Sequence, residues 1–225
     1  VEDEHVAPDG SPVAIYLAVP AGGTPTLIHG AIPAAASILE LGCGAGRITR
    51  VLVAYGHAVT AVDDSPEMLA HVTGARTVCA DLWTLELPDR FDTVVAGSHL
   101  INAPDAEQAA ALLGVCRRHL APGGTVLVER YPPGFLAEVT ERAGGLAPVE
   151  THFERLGTRD GVYHARVTYR LGERTWVQEI ATRDVADDDL DRLAAGAGLQ
   201  VVRHLDDART WVQLAVTGEQ ALGTL

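Results

Sequence analysis

The sequence contains no lysine: all 17 of its basic residues are arginines, set against 30 acids for a formal net charge of -13. That absence removes a Schiff-base lysine, a phosphate-loop lysine and a lysine general base from the available chemistry. The shortage of positive charge also argues against a nucleic-acid partner, because binding to phosphate backbones draws on clustered cations. Cysteine is scarce as well. Cys43, Cys79 and Cys116 are widely spaced, odd in number and set in apolar segments, which reads as reduced thiols acting as small hydrophobes in a reducing compartment. The histidines include no H-x-x-x-H pair, so no metal site is expected. No apolar run approaches the roughly 20 residues of a membrane span. Val1-Glu2-Asp3-Glu4-His5 is acidic and lacks the apolar core of a signal peptide. The expectation is a cytoplasmic protein with no membrane partner, a monomer or a homodimer.

What the sequence does contain is organised around residues 38–67. Ile38-Leu39-Glu40-Leu41 is a buried apolar run that breaks into Gly42-Cys43-Gly44-Ala45-Gly46, three alternating glycines ahead of helix-spaced Ile48, Val51, Leu52 and Tyr55. A loop of this kind lets backbone approach a ligand closely and aims the N-H groups of the following helix at it. A second apolar strand, residues 58–63, ends in Asp63. The unit is βαβ with an acid at the tip of its second strand, an arrangement that accepts ribose hydroxyls. The dinucleotide fingerprint requires a third glycine where this chain has Arg47, so a pyrophosphate ligand is disfavoured.

The loop resembles the first motif of class I S-adenosylmethionine (SAM) dependent methyltransferases. Glu40, Gly42, Gly44, Gly46 and Asp63 match that motif position for position. Asp64-Ser65-Pro66-Glu67-Met68-Leu69 resembles the family's next helix start, and Asp81-Leu82 closes a third strand where the family places an acid facing adenine. Leu120-Ala121-Pro122-Gly123-Gly124 before an apolar strand completes the likeness, which spans roughly residues 38–130. It implies a single domain over residues 1–225 with a Rossmann-like seven-stranded sheet, mostly parallel with an antiparallel last strand. It also implies SAM as cofactor, held by Glu40, the three glycines, Asp63, Asp64, Met68, Asp81, Leu82, Ser98 and His99. For Asp64 the competing reading is a solvated helix-start acid, and for Met68 plain core.

Residues 1–35 are rich in proline and read as a cover with brief helices at 13–18 and 26–32, from which Tyr16 and His29 are candidates to reach the site. Residues 36–130 and 185–225 form the core. Residues 131–184 are an insertion after strand five, read as three antiparallel strands at 151–156, 162–171 and 175–183, and resemble the lids of small-molecule methyltransferases. Methyl transfer needs chiefly a held acceptor in a dry pocket, with a base optional. His99, at the tip of strand four, is the first candidate base, followed by His152, with Tyr131 beside them. Tyr16, Arg130, Tyr131, His164 and Trp176 are the substrate-binding candidates. Period-two alternation sets His164, Arg166, Thr168 and Arg170 on one lid face and Tyr163, Ala165, Val167 and Tyr169 on the other, without saying which meets substrate. The resemblance therefore implies a metal-independent methyltransferase acting at O or N of a small organic molecule. Two other readings stay open: a SAM-binding enzyme of the same fold with different chemistry, such as cyclisation, and a nicotinamide-dependent oxidoreductase.

Overall fold

The computed structural model describes residues 5–218; the remainder of the expected cover and core segments, 1–4 and 219–225, lies outside the described residues. Two short helices come first, α1 (Val13–Ala18) and α2 (Thr24–Ala31). Pro12 precedes α1 and Pro25 stands in the first turn of α2, positions where a missing N-H costs nothing. Strands and helices then alternate: β1 (Ser37–Leu41), α3 (Thr49–Ala54), β2 (Ala58–Asp63), α4 (Pro66–Leu69), β3 (Arg76–Cys79), β4 (Phe91–Ala96), α5 (Ala106–Arg118) and β5 (Leu120–Glu129). A one-turn α6 (Phe135–Glu138) leads into β6 (Glu141–Leu146), β7 (Val149–Arg159), β8 (Val162–Leu171) and β9 (Arg174–Arg183). The chain closes with α7 (Asp187–Gly196), β10 (Leu199–His204) and β11 (Trp211–Val216).

One sheet runs β10-β11-β5-β4-β1-β2-β3. β1 pairs parallel with both β2 and β4, while β11 pairs antiparallel with β5 and with β10. The chain thus winds outward from β1 through β2 to β3, then returns to lay β4 on the other side of β1. That reversal opens a crevice at the carboxyl ends of β1 and β4. Apolar side chains alternate to the two faces. Leu39 and Leu41 pack into a core with α5 and α7, and Ile38 packs into a second core with α2 and α3. Helix starts are capped as the sequence suggests: Ser65 Oγ accepts the Met68 amide at 3.2 Å, and Asp105 Oδ1 accepts the Glu107 amide at 2.8 Å.

The insertion is a four-stranded antiparallel sheet, β6-β7-β8-β9, where the sequence reading gave three strands. β6 was missed because all six of its residues are exposed and two are glycines, so it carries no apolar alternation. Side-chain hydrogen bonds stitch the sheet to the rest of the molecule. Asn102 donates from Nδ2 to the Arg183 carbonyl at 2.8 Å, Thr182 Oγ1 donates to the Asn102 carbonyl at 2.9 Å, and Gln178 Nε2 donates to the Asp9 carbonyl at 3.1 Å.

Candidate active site

The loop after β1 is shaped by glycines that no other residue replaces without strain. Gly44 has φ +53° and Gly46 φ +77°, and a Cβ on Gly46 would come within 3.1 Å of the Val72 side chain. The Gly44 amide donates to Asp63 Oδ2 at 2.8 Å, and the Ser65 amide donates to Asp63 Oδ1 at 3.0 Å. The carboxylate closing β2 therefore also fastens the loop closing β1. Burial raises the Asp63 pKa, and the two amides oppose that shift. Glu40 lies buried behind the loop, accepting from Thr49 Oγ1 at 2.7 Å. Desolvation pushes its carboxyl up to about 7, against the Thr49 hydrogen bond and the charge of Arg47. A slot of about 20 Å³, the size of one water, runs beside Tyr16, Gly42, Gly44, Arg47 and Ser98.

The same edge opens into a cavity of about 830 Å³ between β4, the N-terminal segment and the lid sheet. Ser98 and His99 sit in its wall with φ of +53° and +58°, two consecutive left-handed residues that cost free energy and mark a constrained turn. The Ser98 amide donates to Glu129 Oε2 at 2.6 Å. The His99 ring stacks on Tyr131, with centroids 4.0 Å apart at 18°, and Tyr131 in turn stacks on Phe135 at 5.7 Å. Burial lowers the His99 pKa although the nearby Glu129 charge raises it, so the ring is neutral at neutral pH; its buried Nδ1 has no hydrogen-bond partner. Burial likewise pushes the Tyr131 phenol up to about 12. The opposite wall carries Thr151, Phe153, Val167, Tyr169 and Gln178 from the lid. Asn102 joins the two walls, its Oδ1 accepting the Tyr131 amide at 3.1 Å.

Of the residues singled out in the sequence, Tyr16, Ser98, His99 and Tyr131 meet at this cavity, and Glu40, Gly42 and Gly44 line the adjoining slot. Met68 is buried against Ala7, Val13 and Ala45, with Tyr16 packed on the same group. Leu82 is buried in the larger core. Asp64 is exposed at the start of α4, and Asp81 is exposed, accepting from its own Trp83 amide and Thr84 hydroxyl.

Other candidates are drawn elsewhere. Arg130 is fully buried away from the cavity wall, donating to the carbonyls of Val185 and Arg209 and to Asp187 Oδ1 at 2.5 Å. Its guanidinium is consumed by the fold. His152 pairs with Glu141 on the neighbouring strand at 2.8 Å; β7 turns Thr151 and Phe153, not His152, toward the cavity. His164 is exposed, because Val167 and Tyr169 occupy the cavity face of β8. Trp176 packs with Ile15 and Val149, outside the cavity lining. His29 reaches His57 at 2.9 Å instead of the site. Arg47, Asn102 and Glu129 line the cavity and were not read as site residues. The one available signal was position, since Glu129 ends a strand at the sheet's carboxyl edge.

Residues 38–124 match the family model of a methyltransferase domain. That match makes residues 38–124 a methyltransferase domain, and the sequence motifs and the fold agree with the class I SAM-dependent type. The cofactor of this family is SAM. A cypemycin N-terminal methyltransferase from Streptomyces is 29% identical over 186 residues, covering 80% of this chain and 67% of that protein. A ubiquinone biosynthesis O-methyltransferase from Pseudomonas aeruginosa is 28% identical over 130 residues, covering 51% of this chain and 55% of that one. The chain thus spans between half and two thirds of the length of these relatives. Among solved structures, a SAM-dependent methyltransferase from Clostridium acetobutylicum superposes with a TM-score of 0.69 at 19% identity, over 81% of this chain and 84% of that one. A sugar N-methyltransferase from Streptoalloteichus superposes with a TM-score of 0.68 at 21% identity, over 85% and 84%. At these identities the likeness concerns the fold. Within the methyltransferase, no helix among the described residues is long and apolar enough to cross a membrane.

Proposed function

We propose that this methyltransferase moves a methyl group from SAM to an O or N atom of a small organic acceptor, without a metal. The observation that supports it best is the continuity of two features: a positive-φ glycine loop fastened by Asp63, and a cavity of about 830 Å³ at the same sheet edge. A cavity of that volume suits a small molecule. Relatives named as O- and N-methyltransferases fit the same reading.

The residues present suit the cofactor. Gly42, Gly44 and Gly46 leave backbone bare for the methionine portion, Arg47 offers a cation for its carboxylate, and Glu40 holds the loop from behind. Asp63 offers charge-assisted acceptors for ribose, Asp81 an acceptor for the adenine amino group, and the Leu82 backbone N-H a donor to the ring. When bound, SAM supplies a methyl carbon made electrophilic by a cationic sulfur. The chain's own part is to place the acceptor within about 3–3.5 Å and exclude water. The Tyr131, Phe135 and lid side chains bound that space, and Asn102 fixes the distance between its walls.

Calorimetry with SAM, S-adenosylhomocysteine and NAD tests the cofactor, and methyl-labelled SAM with candidate acceptors tests the transfer. Asp63→Ala should weaken SAM binding by about a hundredfold or more, since two charge-assisted hydrogen bonds contribute roughly 1.5–3 kcal/mol each. Unchanged affinity, or tighter binding of NAD than of SAM, would overturn the reading.

A further inference from the structure

The cavity is acidic in an uneven way. Asp9, Glu129 and Glu179 line it, with Arg47 as the one cation among the arginines of its wall. Glu179 is answered by Arg166 at 2.8 Å. Both Asp9 oxygens accept from Ser11, the amide at 2.9 Å and the hydroxyl at 2.7 Å. Glu129 differs from both. Its Oε2 accepts one backbone amide, that of Ser98, and among the described residues no cation pairs with it. It stands at the end of β5 beside the end of β4, its Oε2 3.7 Å from where a Cβ on Gly97 would lie. Next to it the His99, Tyr131 and Phe135 rings form a stacked wall.

A carboxylate in such a place, half removed from water and without a partner ion, favours a ligand that brings positive charge. Aromatic faces beside it add cation-π attraction. A phenolate or carboxylate acceptor would meet like charge, and a neutral alcohol would leave Glu129 unanswered. Resting on the methyltransferase reading above, we infer that the acceptor is an amine that binds as its ammonium ion, held by Glu129 against the His99-Tyr131 stack. Before attack the bound ammonium gives one proton to water at the cavity mouth: an N-H bond of the substrate breaks, an O-H bond of hydronium forms, and the substrate nitrogen keeps the electron pair it needs. Glu129 is thus a specificity-determining residue for nitrogen over oxygen.

The test uses three probes of one skeleton, phenethylamine, 2-phenylethanol and phenylacetate, titrated into the S-adenosylhomocysteine complex at pH 7.5. The ammonium should bind about tenfold more tightly than the alcohol, with the carboxylate weakest. Glu129→Gln keeps an acceptor for the Ser98 amide, so the variant should retain its affinity for S-adenosylhomocysteine while the ammonium-to-alcohol ratio falls to about threefold or less. A wild-type complex with no preference for the ammonium overturns the inference, whether the probes bind equally or not at all. So does a preference that survives in the variant. Failure to bind S-adenosylhomocysteine would instead bring down the methyltransferase reading itself, so the two failures are distinguishable.

Discussion

Glu40 shows how one buried acid behind the glycine loop ties local geometry to stability. Its carboxyl titrates at about 7 in the folded chain against 4.5 for the free group. Because the folded state holds this proton more tightly, the stabilisation is complete below pH 4.5 and is lost as pH rises toward 7, by roughly 3 kcal/mol. Glu40→Gln should therefore gain stability over the parent chain between pH 5 and 8, read as a rising difference in urea midpoints. A constant difference would place the wild-type proton elsewhere. The placement of Glu40, Asp63 and the glycines around one loop was legible because each requirement is local: a close backbone approach, a strand tip, a cap. Arg130 was not. An arginine after a strand at a sheet edge reads as a substrate ligand, and only the carbonyls of Val185 and Arg209, 55 and 79 residues away, show that its guanidinium is taken.

At the scale of elements, Arg130 joins the end of β5 to the start of α7 and to the turn before β11. Removing it would strand the buried carbonyl of Val185, free the partly buried one of Arg209 and leave a void, while Asp187 would keep Arg209. Arg130→Ala should cost roughly 2–4 kcal/mol in chemical denaturation, with SAM affinity of the folded protein unchanged. Loss of SAM or acceptor binding at full stability would return Arg130 to the site. The parallel units were readable from their apolar runs and caps, because strands covered on both faces advertise their burial. The lid was readable only in outline. β6 exposes every side chain, and the choice between the two faces of β8 was made by packing against α1 and β9, which no period-two pattern encodes.

Across the whole molecule, acidification acts through three histidines held neutral. Burial lowers His57, helped by the charge of His29; burial also lowers His99; and His119 is lowered by burial while its Nε2 accepts the Leu87 amide at 2.9 Å and its Nδ1 meets the Val115 carbonyl at 2.8 Å. Each binds a proton more readily in the unfolded chain. Their contribution is present above the ordinary pKa of 6.5 and is lost as pH falls toward their lowered values. These rings therefore work against the trend of Glu40 as pH falls from 7 to 5, and His119→Gln should shift the change in unfolding free energy over that range toward stabilisation at low pH. An unchanged pH dependence in the variant would mean that His119 charges without cost. The hydrogen bonds from Gln178 to Asp9 and Ser11 join positions 169 and 167 apart, and they bear on how the chain is made. A nascent chain that has emerged as far as β5 already owns its complete glycine loop, yet the lid wall of the cavity has not been synthesised. The segment around Asp9 must wait for one some 170 positions later before it can dock, so closure of the cavity is a late, long-range event in folding.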